Sequence, residues 1–240
     1  MKFRHLFTTS LVGLLFVAGP ASAATKEPVT LKSKQDKLSY TIGVDMGTNF
    51  KSQGIDIDPT ILSKGLEDGL TGQPSLLPEK EMEEVLMSLQ KEMVAKRDQE
   101  FKTLSKKNAE EGKQFLAQNS KKPGVVTLPS GLQYQIIKAG SGTPPNSSDT
   151  VTVEYRGTLI NGTVFDQTEK NKPVSFKVSE VIPGWTEALT KMKPGAEWEV
   201  YIPSKLAYGE NGVGGPIGPN QTLVFKIHLI SVNNSNTKKA

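Results

Sequence analysis

The chain has 240 residues, of which 29 are Lys or Arg, 25 are Asp or Glu, two are His and none is Cys. The lack of cysteine and the scarcity of histidine exclude disulfides, Cys–His catalytic pairs, multi-histidine metal sites and zinc fingers. The net charge of +4 is a small excess rather than a basic stripe, which argues against nucleic acid as a partner. We expect neither a metal nor a cofactor.

Residues 1–23 have the three-part pattern of a secretory signal peptide. Lys2 and Arg4 precede an apolar run over 11–18, and the sequence Ala-Ser-Ala ends the segment at position 23. The apolar run is shorter than the roughly 20 residues that span a bilayer. We therefore predict cleavage before Ala24 and export, rather than a membrane anchor. Cleavage removes two basic residues and leaves His228 as the one histidine of the mature chain.

Residues 24–77 are predicted to form a helical dimerisation domain. Apolar residues recur on one face of a first helix, and a second apolar stripe follows the helix start at Pro59. Both segments carry glycines at helical spacing. The two sets are Leu38, Ile42, Met46 and Phe50 with Gly43 and Gly47, and Ile61, Leu62, Leu66 and Leu70 with Gly65 and Gly69.

A glycine inside a helix costs about 1 kcal/mol relative to alanine, so these glycines favour close approach of another helix. The two short helices contain too few apolar residues for an independent core, and there is no disulfide to compensate. Both observations predict a homodimer. The alternative is a monomer with a loosely packed helical cap.

Residues 78–121 are predicted to form one long connecting helix. Pro78 and the acidic residues that follow it suit a helix N-terminus, and a helix over 78–120 would extend about 65 Å. Its first third has an apolar stripe, formed by Met82, Val85, Leu86, Leu89 and Met93. Beyond Ala95 the stripe thins, and we expect that part of the helix to be solvated.

Residues 122–232 are predicted to form an α+β domain with an antiparallel sheet. Pro123 and Gly124 end the helix, and apolar residues then alternate with polar ones in "DTVTVEYRG", "EWEVYIP" and "TLVFKIHLISV", as in strands with one buried face. Asn161-Gly162 predicts a type I′ hairpin. One short helix begins near Trp185. The apolar face of this helix consists of Trp185, Ala188, Leu189 and Met192. Residues 233–240 form a polar tail.

Aromatic residues are the best candidates for a functional site. His228 falls on the polar face of its strand, and the glycine-rich stretch "YGENGVGGPIGPN" lacks the Lys-Ser/Thr ending of a phosphate-binding loop. What remains is a set of rings in or beside the strands and the short helix, with one neighbouring carboxylate: Tyr155, Phe165, Trp185, Tyr208 and Phe225, with Asp166. These residues could form a pocket, or the rings could simply be core.

A resemblance decides between these two interpretations. The stretches "VTVEYRGTLINGTVFDQT", "VIPGWTEALTKMKPGAEWEVYIPSKLAYG" and "TLVFKIHLI" resemble FKBP-type peptidyl-prolyl isomerases over roughly residues 125–232. The stretches "KLSYTIGVDMGTNFKSQGID" and "GGPIGPNQTLVFKIHLISV" are similar to the macrophage infectivity potentiator (Mip) group. With the signal peptide and the long helix, the similarity covers nearly the whole chain.

The resemblance implies a curved antiparallel sheet around one short helix, and a proline-binding pocket with Trp185 as its floor. It implies that Asp166 is the aspartate of this pocket, an electrostatic or positioning group, and that the Ile182 backbone N–H donates to the substrate carbonyl. It also implies that Ile217 lies at the rim. The remaining implied residues are Tyr155, Phe165, Tyr208, Val181 and Phe225. Asp166, Tyr208, Phe165 and Tyr155 would be the catalytic set, and the others would bind substrate.

The implied activity is rotation of X–Pro bonds in protein clients, by an exported homodimer in the periplasm or at the outer membrane or surface of a Gram-negative bacterium. The expected partners are proline-containing unfolded or extracellular proteins, and macrolide inhibitors of the rapamycin type. Macrolide affinity is expected to differ from that of the human members, because Val174 replaces a phenylalanine and glycines replace a histidine.

Two alternatives remain open at this stage. The long helix favours a dimeric periplasmic or surface chaperone whose separated pockets hold unfolded chains, with catalysis secondary. A third interpretation, adhesion to a proline-rich host protein, rests only on the Mip resemblance.

Overall fold

The computed structural model describes residues 29–233. The predicted signal peptide and nearly all of the predicted polar tail lie outside the described residues. The chain divides into two compact units at the junction between Leu77 and Pro78. None of the helices between residues 29 and 233 combines the length and the apolar character needed to cross a membrane.

Two capped helices make up the N-terminal unit, α1 (Lys34–Gln53) and α2 (Pro59–Thr71). Ser33 and Asp36 form a capping box at the start of α1, where each side chain satisfies a free backbone N–H of the other. These hydrogen bonds also lower the pKa of Asp36, chiefly through the bond with Ser33. Asp58 caps α2, and its helix begins at Pro59 as predicted.

The apolar stripes of both helices are exposed. Within the described part of the chain, α1 contains no buried residue and α2 buries only Asp68, which pairs with Lys64. No atom of the described residues, other than the helix's own backbone and nearest neighbours, lies within 4 Å of a Cβ built at Gly43, Gly47 or Gly69. Among residues 29–233, the close helix approach expected at these glycines therefore does not occur.

The second unit begins with the predicted long helix, α3 (Glu79–Asn119), which has 41 residues and a length of about 62 Å. The expectation that its later part is solvated was wrong at the C-terminal end, where Asn108, Gly112 and Asn119 are buried. The buried contacts are made by two amide side chains and a glycine, and Phe115 adds one ring contact with Tyr201, so the contact leaves no continuous apolar stripe in the sequence.

Seven strands form one antiparallel sheet in the order β1-β2-β6-β7-β3-β4, with β5 paired to β3. This arrangement agrees with the predicted α+β class. β3 and β7 pair along their whole length and form the centre of the sheet. The strands are β1 (Val125–Thr127), β2 (Gln133–Lys138), β3 (Thr150–Leu159), β4 (Val164–Gln167), β5 (Val174–Lys177), β6 (Glu197–Ile202) and β7 (Leu223–Asn233).

The hairpin between β3 and β4 forms at the predicted place but with a different turn. Gly162 N–H donates to Leu159 O at 2.9 Å, and Gly162 has φ 86°. Asn161 has no positive φ, whereas a type I′ turn requires one at both central residues. The connection therefore has its left-handed residue at Gly162 alone, within this turn.

The short helix α4 (Pro183–Leu189) packs on the sheet and helps to form the core. Its predicted apolar face is buried, with Trp185 4% exposed and Leu189 fully buried. A Cβ at Gly184 would overlap the Ile202 side chain of β6, so a glycine is needed where the helix meets the sheet. This contact fixes the first turn of α4, which carries Trp185.

Candidate active site

An open cavity of about 330 Å³ lies between α4 and the strands β3, β4, β5 and β7. Trp185 forms part of its wall deep in the structure, because it sits in the first turn of α4 and is nearly buried. The cavity is lined by Tyr155, Phe165, Asp166, Phe176, Glu180, Val181, Ile182, Trp185, Tyr208 and Phe225. Eight of the nine residues expected at the site therefore line one cavity, and the exception is Ile217.

The aromatic rings stand nearly perpendicular to the Trp185 ring. Tyr155 meets it edge-on with ring centroids 5.1 Å apart at 87°, and Phe225 does so at 5.2 Å and 88°. Phe165 in turn contacts Phe225 edge-on, at 5.4 Å and 83°. Edge-to-face contacts of this kind stabilise aromatic clusters beyond their buried area. The result is a box of aromatic rings around Trp185.

Gly157 allows two of these rings to approach the sheet. A Cβ at this position would lie 2.7 Å from Cε2 and Cζ of Phe165 and 2.8 Å from Cε1 of Phe225. These distances are well inside carbon–carbon van der Waals contact. Gly157 is paired with Phe225 in β7 and with Asp166 in β4, so it lies directly behind the cavity.

Tyr155 and Asp166 form the polar side of the box. The Tyr155 hydroxyl donates to Asp166 Oδ2 at 2.5 Å. Burial raises the pKa of Tyr155, and the hydrogen bond to Asp166 and its negative charge raise it further. The phenol therefore keeps its proton at neutral pH. Its hydrogen bond fixes the position of the Asp166 carboxylate, which is the acceptor.

Tyr208, Val181 and Ile182 lie at the mouth of the cavity. Tyr208 is 37% exposed and follows the short 3₁₀ turn Ser204–Leu206. Ile182 is the residue before the first turn of α4, and its carbonyl accepts from Trp185 N–H at 2.9 Å. Hydroxyl and backbone groups at a cavity mouth can orient the polar parts of a bound peptide.

Two lining residues were missed from the sequence, Phe176 and Glu180. Phe176 lies on β5 and contacts Trp185 edge-on at 6.0 Å and 86°. Its position in "VSFK", alternating with Ser175 and Lys177, was the signal that could have revealed it. Glu180 forms an ion pair with Lys177 at 3.6 Å, and nothing in its sequence surroundings marks it as a pocket residue.

Ile217 is placed elsewhere than expected. It is 7% exposed and belongs to the core cluster, and it does not line the cavity. The reason is local: the glycine-rich loop doubles back, with Val213 N–H donating to Ile217 O at 3.1 Å and a bridge between Gly214 and Ile217. The side chain is therefore drawn under the loop.

The chemistry available at this site is that of an apolar box with a few polar groups. Among residues 29–233, no group of three or more His, Cys, Asp or Glu side chains is placed to hold a metal ion. The geometry suits an apolar, ring-sized group bound on Trp185, with its flanking backbone near Tyr208 and Ile182.

Two family models match the chain. Residues 35–136 match the domain amino-terminal to FKBP-type peptidyl-prolyl isomerase, and residues 141–230 match the FKBP-type peptidyl-prolyl cis-trans isomerase domain. Together they span both units, from α1 into β7.

Several known proteins are similar over nearly the full length. The outer membrane protein MIP of Legionella longbeachae is 56% identical over 233 residues, which are 97% of this chain and 98% of that protein. The peptidyl-prolyl cis-trans isomerase Mip of Coxiella burnetii is 49% identical, over 92% of this chain and 94% of its own. The crystal structure of FkpA from Escherichia coli has a TM-score of 0.70 at 36% identity, covering 85% of this chain and 99% of that one.

The two matched domains, the relatives that align over nearly the full chain and the fold shared with FkpA all point to the same family as the aromatic cavity described above. The chain belongs to the FKBP-type peptidyl-prolyl cis-trans isomerases, in the Mip group, and is a peptidyl-prolyl cis-trans isomerase.

Proposed function

We propose that the cavity over Trp185 is where this isomerase binds proline and catalyses rotation of the preceding peptide bond. The observation that carries the proposal is the box of perpendicular rings around Trp185. An X–Pro bond rotates slowly because resonance keeps the amide planar, with a barrier of about 18–20 kcal/mol. The twisted amide has lost that charge separation, so an apolar box holds it better, relative to the planar form, than water does.

The polar groups have separate roles in this proposal. Tyr208 and the Ile182 N–H donate to the substrate carbonyls and hold them in the twisted geometry. Asp166 already accepts a hydrogen bond from Tyr155 at 2.5 Å, so it acts as an electrostatic and positioning group and not as a base. Val181, Phe165 and Phe225 enclose the proline ring. No covalent step or proton transfer is required.

The test is the cis-to-trans rate of a Phe-Pro tetrapeptide with wild-type protein, Asp166→Leu and Tyr208→Phe. We expect wild-type acceleration, and a loss of about tenfold in kcat/KM when one charge-assisted or substrate hydrogen bond is removed. A Tyr134→Phe variant is the control, because Tyr134 stacks on Trp198, outside the cavity lining. Full activity in both site variants, with circular dichroism unchanged, would contradict the proposed roles.

We also propose that the protein is a homodimer joined through α1 and α2. The support is the exposure of the apolar stripe: Leu38 is 58% exposed, Ile61 69% and Leu70 78%. A groove of about 500 Å³ runs between the two helices, lined in part by Gly43, Met46, Gly47, Phe50 and Leu66. A second copy of the same face would cover the stripe and the glycines together. The expected mass in sedimentation equilibrium is twice that of the chain.

Export is part of the proposal. The relatives are named as an outer membrane protein and as Mip, and the N-terminal sequence has the signal-peptide pattern. We propose that the mature chain begins at Ala24 and acts in the periplasm or at the surface of a Gram-negative bacterium. Mass spectrometry of the protein from the cell envelope tests the cleavage site, and retention of Met1 would contradict it.

A second candidate activity is chaperone binding of unfolded chains. Apolar residues along the first half of α3 are exposed, including Val85 at 56%, Leu86 at 65% and Met87 at 69%. Such a surface could hold client chains independently of the pocket. Suppression of aggregation that is equal for wild type and Asp166→Leu would support it, and loss in Asp166→Leu would assign the effect to the pocket. Macrolides of the rapamycin type are proposed ligands of the same pocket.

A further inference from the structure

The C-terminal part of α3 is fixed to the segment Gly218–Thr222, which follows the glycine-rich loop. Asn108 Nδ2 donates to the Pro219 carbonyl at 2.7 Å. Asn220 Nδ2 donates to Ser105 Oγ at 2.8 Å. A Cβ at Gly112 would overlap Thr222 Oγ1. Ser105, Asn108 and Gly112 are three and four residues apart, and therefore share one face of the helix.

The same segment is tied to the residue after Tyr208. Asn220 N–H donates to the Gly209 carbonyl at 2.9 Å, and Gly209 N–H donates to the Ser204 carbonyl at 2.9 Å. Ser204 Oγ lies 3.4 Å from Asn220 Oδ1. Gly209, the residue that follows Tyr208, is thus held through its N–H by the 3₁₀ turn at Ser204 and through its carbonyl by Asn220.

Asn220 joins these two sets of contacts through an uncommon backbone conformation. Its φ is 54°, in the left-handed region that asparagine tolerates better than most residues. In this conformation the backbone N–H of Asn220 reaches Gly209 while its side chain reaches Ser105 on α3. A single residue therefore connects the long helix to the loop that carries Tyr208.

We propose that Asn220, anchored by Ser105 of α3 and supported by the bond of Asn108 to the preceding Pro219 carbonyl, is a positioning residue for Tyr208. The proposal rests on the role assigned to Tyr208 under the proposed function. A group that donates to a twisted amide must be held within a fraction of an ångström of its productive position. The mouth of the cavity is exposed, so Tyr208 gets little support there from burial. The helix contact supplies that support from behind the loop, and makes α3 part of the active-site framework.

The first test compares Asn220→Gly with Asn171→Gly, in the full-length protein. Glycine keeps the left-handed backbone and the N–H, and removes only the side-chain contacts. Asn171 also has a left-handed φ, 59°, but is not among the residues that line the cavity, so it is the matched control. We expect kcat/KM on the Phe-Pro tetrapeptide to fall about three- to tenfold in Asn220→Gly, for the loss of one to two hydrogen bonds. The control should keep wild-type activity.

A second pair of variants acts from the helix side. Ser105→Ala removes the acceptor of the Asn220 amide, and we expect a loss of similar size. Ser105→Thr keeps the hydroxyl and should retain activity. Alanine is a better helix former than serine, so Ser105→Ala is expected to fold, and its unfolding midpoint in urea checks this.

The decisive measurement repeats Asn220→Gly in a Tyr208→Phe background. If Asn220 acts through the Tyr208 hydroxyl, its removal should cost less than about twofold there, because interacting sites are not additive. A full additional loss in that background would overturn the proposal. Wild-type activity of Asn220→Gly, with Tyr208→Phe impaired, would overturn it while leaving the proposed function intact. Wild-type activity of Tyr208→Phe alone would overturn the assigned role of Tyr208, and this inference with it.

Discussion

At the scale of single residues, Gly157 is closely packed against two rings of the cavity, those of Phe165 and Phe225. Replacing it with alanine would place a Cβ 2.7 Å from the Phe165 ring. We expect Gly157→Ala to displace that ring, to lower kcat/KM, and to cost about 1–3 kcal/mol of stability through overpacking. Thr158→Ala, at the next position of β3, is the control. The measurements are kcat/KM and the midpoint of urea unfolding. If both values were unchanged in Gly157→Ala, the tight packing at this position would be contradicted.

Two tyrosines predict how stability depends on alkaline pH. Burial, and then a 2.8 Å hydrogen bond to Glu199, raise the pKa of Tyr201 above the ordinary value of 10.0. Tyr155 is shifted in the same direction by burial and Asp166. Above about pH 10 the unfolded chain loses these protons while the native state keeps them. Stability that is fully present below pH 10 should therefore be lost as the pH rises further.

The measurement is the urea unfolding midpoint between pH 8 and pH 11. Tyr201→Phe lacks the ionisable group, and its midpoint should fall less steeply with pH than that of the wild type. Tyr40→Phe is the control, because Tyr40 is 59% exposed. If the unfolding midpoints of wild type and Tyr201→Phe fell equally steeply with pH, the pKa of Tyr201 would not be raised in the folded state.

The residues of the site show how far a sequence could lead. The aromatic residues were recognisable as a set. However, the alternation of apolar and polar residues along a strand is the same whether the inward-facing rings fill a core or line a cavity. Only the resemblance separated these cases. Glu180 could not be found, because an exposed acid at the end of a short 3₁₀ helix (Val178–Glu180) has no periodic signal. Ile217 was misplaced because the way a glycine-rich loop folds back is not encoded in a hydrophobic pattern.

At the scale of elements, the exposed helices α1 and α2 allow a direct test of the proposed dimer. Within the described chain, a Cβ at Gly47 meets nothing within 4 Å beyond its own helix, so alanine there should raise helix stability by about 1 kcal/mol in a monomer. In the proposed dimer, the same methyl group would enter the interface. We expect Gly47→Ala to raise the dimer dissociation constant about tenfold or more, for 1–3 kcal/mol of overpacking.

Sedimentation velocity over a dilution series measures this effect. Asn49→Ala is the control, because position 49 is about 200° around α1 from Gly47. A Gly47→Ala protein that melts at a higher temperature and keeps its dimer would show that this face of α1 is not in the interface.

Elements were predictable where burial follows a period, and unpredictable where contact is polar. The alternation in β3, β6 and β7 is strong because each strand has one face on the core cluster. The prolines likewise predicted the helix starts, since α2 begins at Pro59 and α3 directly after Pro78. The docking of α3 was missed, since amide contacts such as that of Asn119 Nδ2 with Gln133 Oε1, at 3.0 Å, have no hydrophobic repeat.

At the scale of the whole molecule, the end of α3 is expected to stabilise the catalytic domain. Phe115 packs on Tyr201 with ring centroids 5.9 Å apart, and Gln133 Nε2 donates to the Leu116 carbonyl at 2.9 Å. A fragment of residues 123–233 lacks these contacts, whereas a fragment of residues 100–233 keeps them. We expect the shorter fragment to be less stable by about 3–7 kcal/mol, because it loses one aromatic pair and the four hydrogen bonds made by Ser105, Asn108, Leu116 and Asn119.

Urea unfolding of the two fragments measures the difference. The longer fragment carrying Phe115→Ala should fall between them, since it keeps the hydrogen bonds and loses the ring. Equal stability of both fragments would mean that the helix end contributes nothing to the domain, and would weaken the case for α3 as support of the active site.

The pairing of β3 with β7 has a consequence for how the enzyme becomes active. These strands carry Tyr155 and Phe225, and both the floor and the mouth of the box come from the chain between them. Contacts so distant in sequence form late, because a long loop must close before they can be made. We therefore expect a nascent chain to have no partial pocket and no partial catalysis. An enzyme that accelerates a slow step in the folding of other proteins would gain that ability only when the distant strands β3 and β7 of its own chain have paired.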